Sequence, residues 1–276
     1  MKAIILDTET NDLPHNGGEA FNIAFFEMRS LDHASYREGV LKLLGEDKKS
    51  IDLWDNSYLV DAYDEFFLPH KEFSTQATEK NGYTRSMLLD KPCISTFKFP
   101  TDVTYLIGHN IRFDWWILKK PKNVKLICTK ELAIKYLTKT SGNGTKGVNT
   151  LTGLIERYYP EEAKELIANA HSALQDCKLC YLILLKVLEA APELDSFEKL
   201  AIQCKQPSDE EEKLPFGVSY DEYNKGFVCN FGAKHKGKFY MDILKQDKGY
   251  LTWIVEKSTL PQDLKNFVKQ FMLDNK

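Results

Sequence analysis

At 276 residues, with 43% hydrophobic and 28% charged positions, the chain has enough apolar mass for a packed core and is longer than one ordinary catalytic domain, so two units are expected. A net charge of −3 excludes a whole-chain electrostatic footprint for nucleic acid, while leaving room for a protein that grips a few nucleotides through metal ions. No stretch approaches the ~20 apolar residues of a membrane span, an acid at Asp7 cuts short the N-terminal apolar run, and the six cysteines are scattered; this excludes a secreted disulfide scaffold and makes the cytoplasm the expected compartment.

The first strand is expected over residues 3–6 and the second over 21–28, separated by a turn-rich stretch with Pro14, Asn16, Gly17 and Gly18. Residues 31–56 are charged and mixed, with Leu41, Leu43, Leu44 and Gly45 suggesting a short helix inside an insertion. A third strand is expected over 58–68, closed by Pro69, and residues 74–89 read as a helix broken around Asn81-Gly82. Residues 103–107 and 124–128 are short, apolar strand candidates, each followed by a helix, over 113–118 and 131–137. This alternation argues for an α/β domain with a mixed sheet.

A polar Ser/Gly/Asn/Thr loop is expected over 138–147, then helices over 150–158, 161–167 and 171–190, the last stopped by Pro192. Cys177 and Cys180 form a CxxC pair inside the apolar stretch of that last helix, which points to core packing instead of zinc or redox chemistry. The acidic, Pro-containing run 206–213 has the composition of a linker. The expected division is therefore a catalytic domain over 1–190, a linker over 191–218 and a small, mainly helical module over 219–276, whose amphipathic pattern of Ile243, Leu244, Tyr250, Leu251, Trp253, Ile254, Leu264, Phe267, Val268, Phe271 and Met272 gives it a small core of its own.

Three acidic elements carry the candidate chemistry. In Asp7-Thr8-Glu9, strand alternation puts both carboxylates on one face, where their repulsion is relieved by a divalent cation. In Gly108-His109-Asn110-Ile111-Arg112-Phe113-Asp114, a strand end opens a helix whose first turn holds Asp114. In His171-Ser172-Ala173-Leu174-Gln175-Asp176, a histidine precedes an acid by five residues at the start of a long apolar helix. Each alone is ordinary: solvated strand-end charges, an acid favoured at a helix N-terminus, a capping histidine.

Taken together in the order Asp-x-Glu, Asp, His-x4-Asp, residues 1–190 resemble the DEDDh 3′→5′ exonucleases. Asn81-Gly82-Tyr83-Thr84 falls where that family often has a His-Gly-Ile-Thr-like turn. The stretch from Phe231 to Lys238, together with Asp247-Lys248-Gly249-Tyr250-Leu251-Thr252-Trp253 and Cys128-Thr129-Lys130, looks like the exodeoxyribonuclease X branch, with one extra residue around Ala233.

The resemblance implies a ribonuclease H-like mixed sheet flanked by helices and a two-metal exonuclease using Mg2+, with Mn2+ as a substitute. It implies that Asp7 bridges both ions, that Glu9 and Asp176 complete the first, that Asp114 supports the second, and that His171 is the general base. Thr8, His109, Asn110 and Phe113 would contact the substrate, and Leu13 would pack on terminal bases or else anchor its loop. Lys234, Lys236 and Lys238 would touch DNA phosphates or else form a solvated turn. The implied activity is release of nucleoside 5′-monophosphates from DNA 3′ ends in repair or end processing. RNA trimming and a non-cutting nucleic-acid adaptor on the same fold are the alternatives.

Gly232 to Lys238 also fits the spacing G-x4-G-K of a phosphate-binding loop, but Phe239 stands where Ser or Thr would hold magnesium. Nucleoside triphosphate binding is therefore not expected.

Overall fold

Ala3, Ile4, Ile5 and Leu6 are all fully buried, so β1 (Lys2–Thr10) has both faces covered, as its unbroken apolar run requires. The computed structural model describes residues 2–28, 31, 59–138, 149–168, 172–208, 214–221 and 224–275. The expectations for 32–56, for most of the polar loop 138–147 and for the acidic run 209–213 lie outside these residues.

β1 pairs antiparallel with β2 (Ala20–Met28), which pairs antiparallel with β3 (Leu59–Phe66). On its other side β1 pairs parallel with β4 (Val103–Gly108), and β4 pairs parallel with β5 (Lys125–Cys128). The order β3-β2-β1-β4-β5 makes β1 the central strand of a mixed five-stranded sheet.

Helix α1 (Thr75–Asn81) starts where the Ser74 hydroxyl accepts a hydrogen bond from the Ala77 amide, and Gly82 in the left-handed region ends it. The expected break at Asn81-Gly82 is thus a helix stop, followed by a 3-10 turn over Arg85–Leu88. Helix α2 (Arg112–Ile117) follows β4, and α3 (Thr129–Leu132) follows β5 and widens into a π-helical segment, Ala133–Leu137. After α4 (Leu151–Tyr158) and α5 (Ala163–Leu166) comes α6 (Ala173–Ala190), whose Leu179, Leu182, Ile183, Leu184 and Leu185 are buried. Burial on several sides marks α6 as a core helix. The Cys177 thiol donates to the Ala24 carbonyl at 3.3 Å, fastening α6 to β2, and Cys177 and Cys180 are free, buried thiols.

Residues 191–206 pack onto this same unit. Helix α7 (Phe197–Ile202) buries Leu200 and Ala201, and the Gln206 side chain accepts from the Leu126 amide at 2.9 Å and donates to the Leu126 carbonyl at 2.8 Å. By internal packing the chain forms one unit from residues 1–11 and 20–206, and a second from 12–19 and 207–276.

The second unit has a three-stranded antiparallel sheet, β6 (Val218–Asp221), β7 (Gly226–Cys229) and β8 (Lys238–Phe239), not anticipated from sequence. Strands this short leave too few positions for alternation to register. Its helices α8 (Tyr240–Gln246), α9 (Lys248–Glu256) and α10 (Gln262–Asp274) bury Tyr240, Leu251, Ile254, Leu264, Val268 and Phe271 in a separate core. Among the described residues no helix is long and apolar enough to cross a membrane.

Candidate active site

Asp7 and Glu9 lie at the C-terminal end of β1, two residues apart and therefore on one face. Across the antiparallel pair, Asp7 stands opposite Ala24 and Glu9 opposite Asn22. Asp176 sits in the first turn of α6, where its amide donates to the Ser172 carbonyl at 2.9 Å. Carboxylate oxygens of Asp7, Glu9 and Asp176 all come within 4.8 Å of one another.

Asn22 fixes the start of the helix that carries Asp176. Asn22 is buried, and its carboxamide oxygen accepts from the Ala173 amide at 3.1 Å. This satisfies one of the orphan N–H groups at the start of α6, so the cap of that helix comes from β2 instead of from Ser172, which makes no side-chain cap. The Asn22 amide group in turn donates to Asp64 at 2.8 Å and to the Glu65 carbonyl at 3.2 Å.

Asp114 is buried in the first turn of α2, and one of its oxygens accepts from both the Thr8 amide at 3.0 Å and the Thr8 hydroxyl at 2.7 Å. Gly108, at the end of β4, lies hard against β1 and the start of α2: a Cβ there would lie 2.8 Å from the Leu6 carbonyl oxygen and 2.5 Å from the Ile111 side chain.

The electrostatics are those of buried acids crowded together. Burial pushes the Glu9 carboxyl up to about 7; Lys80, on the last turn of α1, opposes that rise, and Asp176 and Asp114 add to it. Burial likewise raises Asp7 well above the carboxylate range, reinforced by Asp114, Asp176 and Glu9. Asp114 rises to about 7 through burial, against the pull of its Thr8 hydrogen bonds. A divalent cation removes this strain, and an all-carboxylate donor set suits a hard cation.

Other residues expected to touch substrate fall as follows. His109 has Nε2 3.0 Å from the Asn149 carbonyl, which can only accept, so Nε2 carries the hydrogen, and Nδ1 lies 3.1 Å from the Thr129 hydroxyl, whose one proton it shares with the Gly108 carbonyl at 3.3 Å. Burial holds this imidazole down to about 4, so it stays neutral, and both its nitrogens are engaged by the protein. Thr8 likewise gives both its donors to Asp114. Asn110 is exposed at φ 69, Phe113 is half-buried, and Leu13 is exposed beside the 3-10 turn Pro14–Asn16.

Lys234, Lys236 and Lys238 are exposed in the second unit, with Lys234 paired to Asp247 at 2.6 Å. His171 lies outside the described residues. Asn22 and Lys80 went unnoticed in the sequence. Asn22 has a signal, a lone amide inside the apolar run Phe21-Asn22-Ile23-Ala24, whereas Lys80 has none.

No protein-family model matches the chain, and no curated protein matches its sequence. Among solved structures, the chain is similar to E. coli exonuclease I in complex with a dT13 oligonucleotide, at 13% identity and a TM-score of 0.50, over 99% of this chain and 70% of that one. The zinc-bound form of the E. coli ExoI–ssDNA complex is similar at 14% identity and TM-score 0.50, over 99% and 69% of the two chains. A structure of exonuclease X in complex with 5′ overhanging duplex DNA gives 18% identity and TM-score 0.48, over 73% of this chain and 98% of that one. At 13–14% identity and a TM-score of 0.50, what the chain shares with exonuclease I is the fold: a mixed five-stranded sheet flanked by helices and followed by C-terminal helices, a ribonuclease H-like arrangement.

Proposed function

We propose that the chain is a metal-dependent 3′→5′ exodeoxyribonuclease that releases nucleoside 5′-monophosphates from DNA 3′ ends, in repair or end processing. The observation that carries this reading is the convergence of Asp7, Glu9 and Asp176 within 4.8 Å, on a fold shared with exonuclease I. Buried Asp114, held by Thr8 and felt electrostatically by Asp7, supplies the fourth acid.

In this reading Asp7, Glu9 and Asp176 would hold the metal together, and Asp114 would support it directly or through water. Hard oxygen donors favour Mg2+, with Mn2+ able to replace it. When bound, two such ions supply an activated water, neutralise charge on the phosphate and assist the departing 3′-oxygen. His171, five residues before Asp176, accepts the proton of the attacking water, a role suited to a group whose ordinary pKa is near 6.5. In the first unit Phe113 offers apolar surface to the terminal bases and Asn110 borders them; in the second, Leu13 would meet bases and Lys234, Lys236 and Lys238 phosphates. Thr8 and His109 act by holding Asp114 and the β4–α2 turn. All six cysteines are free, which is consistent with a cytoplasmic enzyme.

The test is an assay of purified protein on 5′-labelled single-stranded DNA with Mg2+, beside Asp176→Asn and His171→Ala. The wild type is expected to produce a ladder shortened from the 3′ end, and both variants to lose it. Equal inertness of all three on matched DNA and RNA would remove the enzymatic reading, and faster loss of the RNA would reassign the substrate.

A further inference from the structure

In the second unit, three rings run in a row from interior to surface. The buried His235 ring lies 4.6 Å from Tyr250, and Tyr250 lies 5.8 Å from Trp253 at an interplanar angle of 24°. The row ends in an indole that is 46% exposed. Single exposed apolar side chains are ordinary on protein surfaces. This one is set apart by its charge environment and by how firmly it is held.

Residues 230–257 carry six lysines against three acids, in a chain whose net charge is −3. One acid, Asp247, is already occupied: it accepts from Lys234 at 2.6 Å and pairs with His235 Nε2 at 2.9 Å while capping the Tyr250 amide at the start of α9. That contact latches the 232–238 turn onto the helix that bears Trp253. The turn closes through the Gly237 amide on the Cys229 carbonyl at 2.7 Å, with Gly232 at φ 68 set against the Tyr250 hydroxyl. Lys236 and Lys238, just past His235, are exposed, and among the described residues neither forms an ion pair. Exposed Lys257 is the residue that closes α9, its amide donating to the Trp253 carbonyl at 3.0 Å.

We propose that this face of the second unit, Trp253 flanked by Lys236, Lys238 and Lys257, binds single-stranded nucleic acid. A base stacks on the exposed indole, and the lysines take the neighbouring phosphates. Every base has a π-face, so such a platform is indifferent to sequence, and lysines around it follow the backbone. A single strand suits it better than a duplex, whose bases are already stacked. The proposal takes its ligand class from the nuclease reading, but it requires no cutting by the first unit.

The experiment uses the full chain with divalent metal chelated, so that no hydrolysis occurs. A fluorescein-labelled oligodeoxythymidylate of about 12 nucleotides is titrated and followed by anisotropy. Trp253→Ala is expected to weaken binding about tenfold and Trp253→Phe to restore most of it, the stacking signature. Lys236→Ala with Lys238→Ala should reduce the slope of log affinity against log salt by about 1.4, two single-strand phosphate contacts. A duplex of equal length should compete poorly.

Trp253→Ala binding as tightly as wild type overturns the proposal. So does a wild type that sediments as a dimer which Trp253→Ala dissociates without change in oligonucleotide affinity; the face then belongs to a second copy. Should Trp253→Ala fail to fold, the Trp253→Phe affinity and the lysine salt slope decide the matter. A chain that binds in this pattern yet never cleaves with Mg2+ loses the nuclease reading and keeps this one, and a chain that cleaves while Trp253→Ala binds normally does the reverse.

Discussion

Thr8 and Asp114 meet across 106 residues of sequence through two hydrogen bonds to one buried carboxylate oxygen, from the Thr8 amide and from its hydroxyl. Replacing Thr8 with the near-isosteric valine deletes only the second bond and leaves a buried acid less satisfied. Thr8→Val should cost about 1–3 kcal/mol of stability at neutral pH. Nuclease activity should fall along with it, since Asp114 loses the contact that fixes it beside Asp7. Denaturant melts and initial rates on the same preparation check this, and a variant as stable as wild type would show that the hydroxyl bond carries little.

Asn22→Ala removes the cap that β2 lends to α6. It orphans the buried Ala173 amide and frees the start of the helix that carries Asp176. About 1–3 kcal/mol of stability should go. Because a small misplacement of a catalytic group weighs heavily on rate, activity should fall further than stability does. The two are separated by assaying well below the melting temperature. Equal wild-type and variant rates there would confine Asn22 to folding.

How much of this was legible beforehand depends on whether the cause is local. Asp7 and Glu9 share a face because strand periodicity is two, and Asp114 and Asp176 sit in first helical turns that Gly108 and the long apolar run of α6 already mark. The strands over 21–28 and 103–107 and the helix stop at Gly82 follow from equally short-range rules. The tasks of Thr8 and His109 were not legible, because each is decided by a partner far along the chain, Asp114 for one and Thr129 with Asn149 for the other. Helix α7 escaped notice because six residues hold less than two turns of periodicity, and charged neighbours on both sides dilute it.

Burial raises Asp7, Glu9 and Asp114, so the metal-free site opposes its own folding. Mg2+ or Mn2+ should therefore raise the melting temperature, by the equivalent of about 2.7 kcal/mol at a hundredfold excess over the dissociation constant. Asp7→Asn removes a repelling charge as well as a ligand. It should be more stable than wild type without metal and should lose most of the metal-dependent rise. A metal response that survives Asp7→Asn would put the ion elsewhere.

Lys80 is the cation that both Asp7 and Glu9 feel, from the last turn of α1. Helix α1 is fastened beside them: the Ser74 amide donates to the Asn11 carbonyl at 2.9 Å, and Tyr83 packs on Phe21 at 5.1 Å. The same charge that competes with a metal ion attracts a phosphate. Lys80→Gln should thus tighten metal binding and raise KM for DNA, each by a few-fold given the exposure of the lysine and its screening by salt. Calorimetric metal titration and steady-state kinetics read the two effects separately. Changes of the same sign in both would mean that Lys80 acts through structure instead of charge.

The Lys234 and His235 hydrogen bonds hold the Asp247 carboxyl down to about 2, below the value of about 3.9 expected when the chain is unfolded. A depressed carboxyl binds its proton more weakly in the folded state than in the unfolded one. Its contribution to stability is therefore fully present above about pH 4 and is lost as the pH falls through about 2. Asp247→Asn keeps an oxygen that can cap the Tyr250 amide, so it isolates the charge from the cap. The variant should melt below wild type at neutral pH, and the gap should close as the pH is lowered through that window. Melting of the two proteins across that pH range checks this, and a gap that stays constant with pH would assign the role of Asp247 to its cap alone.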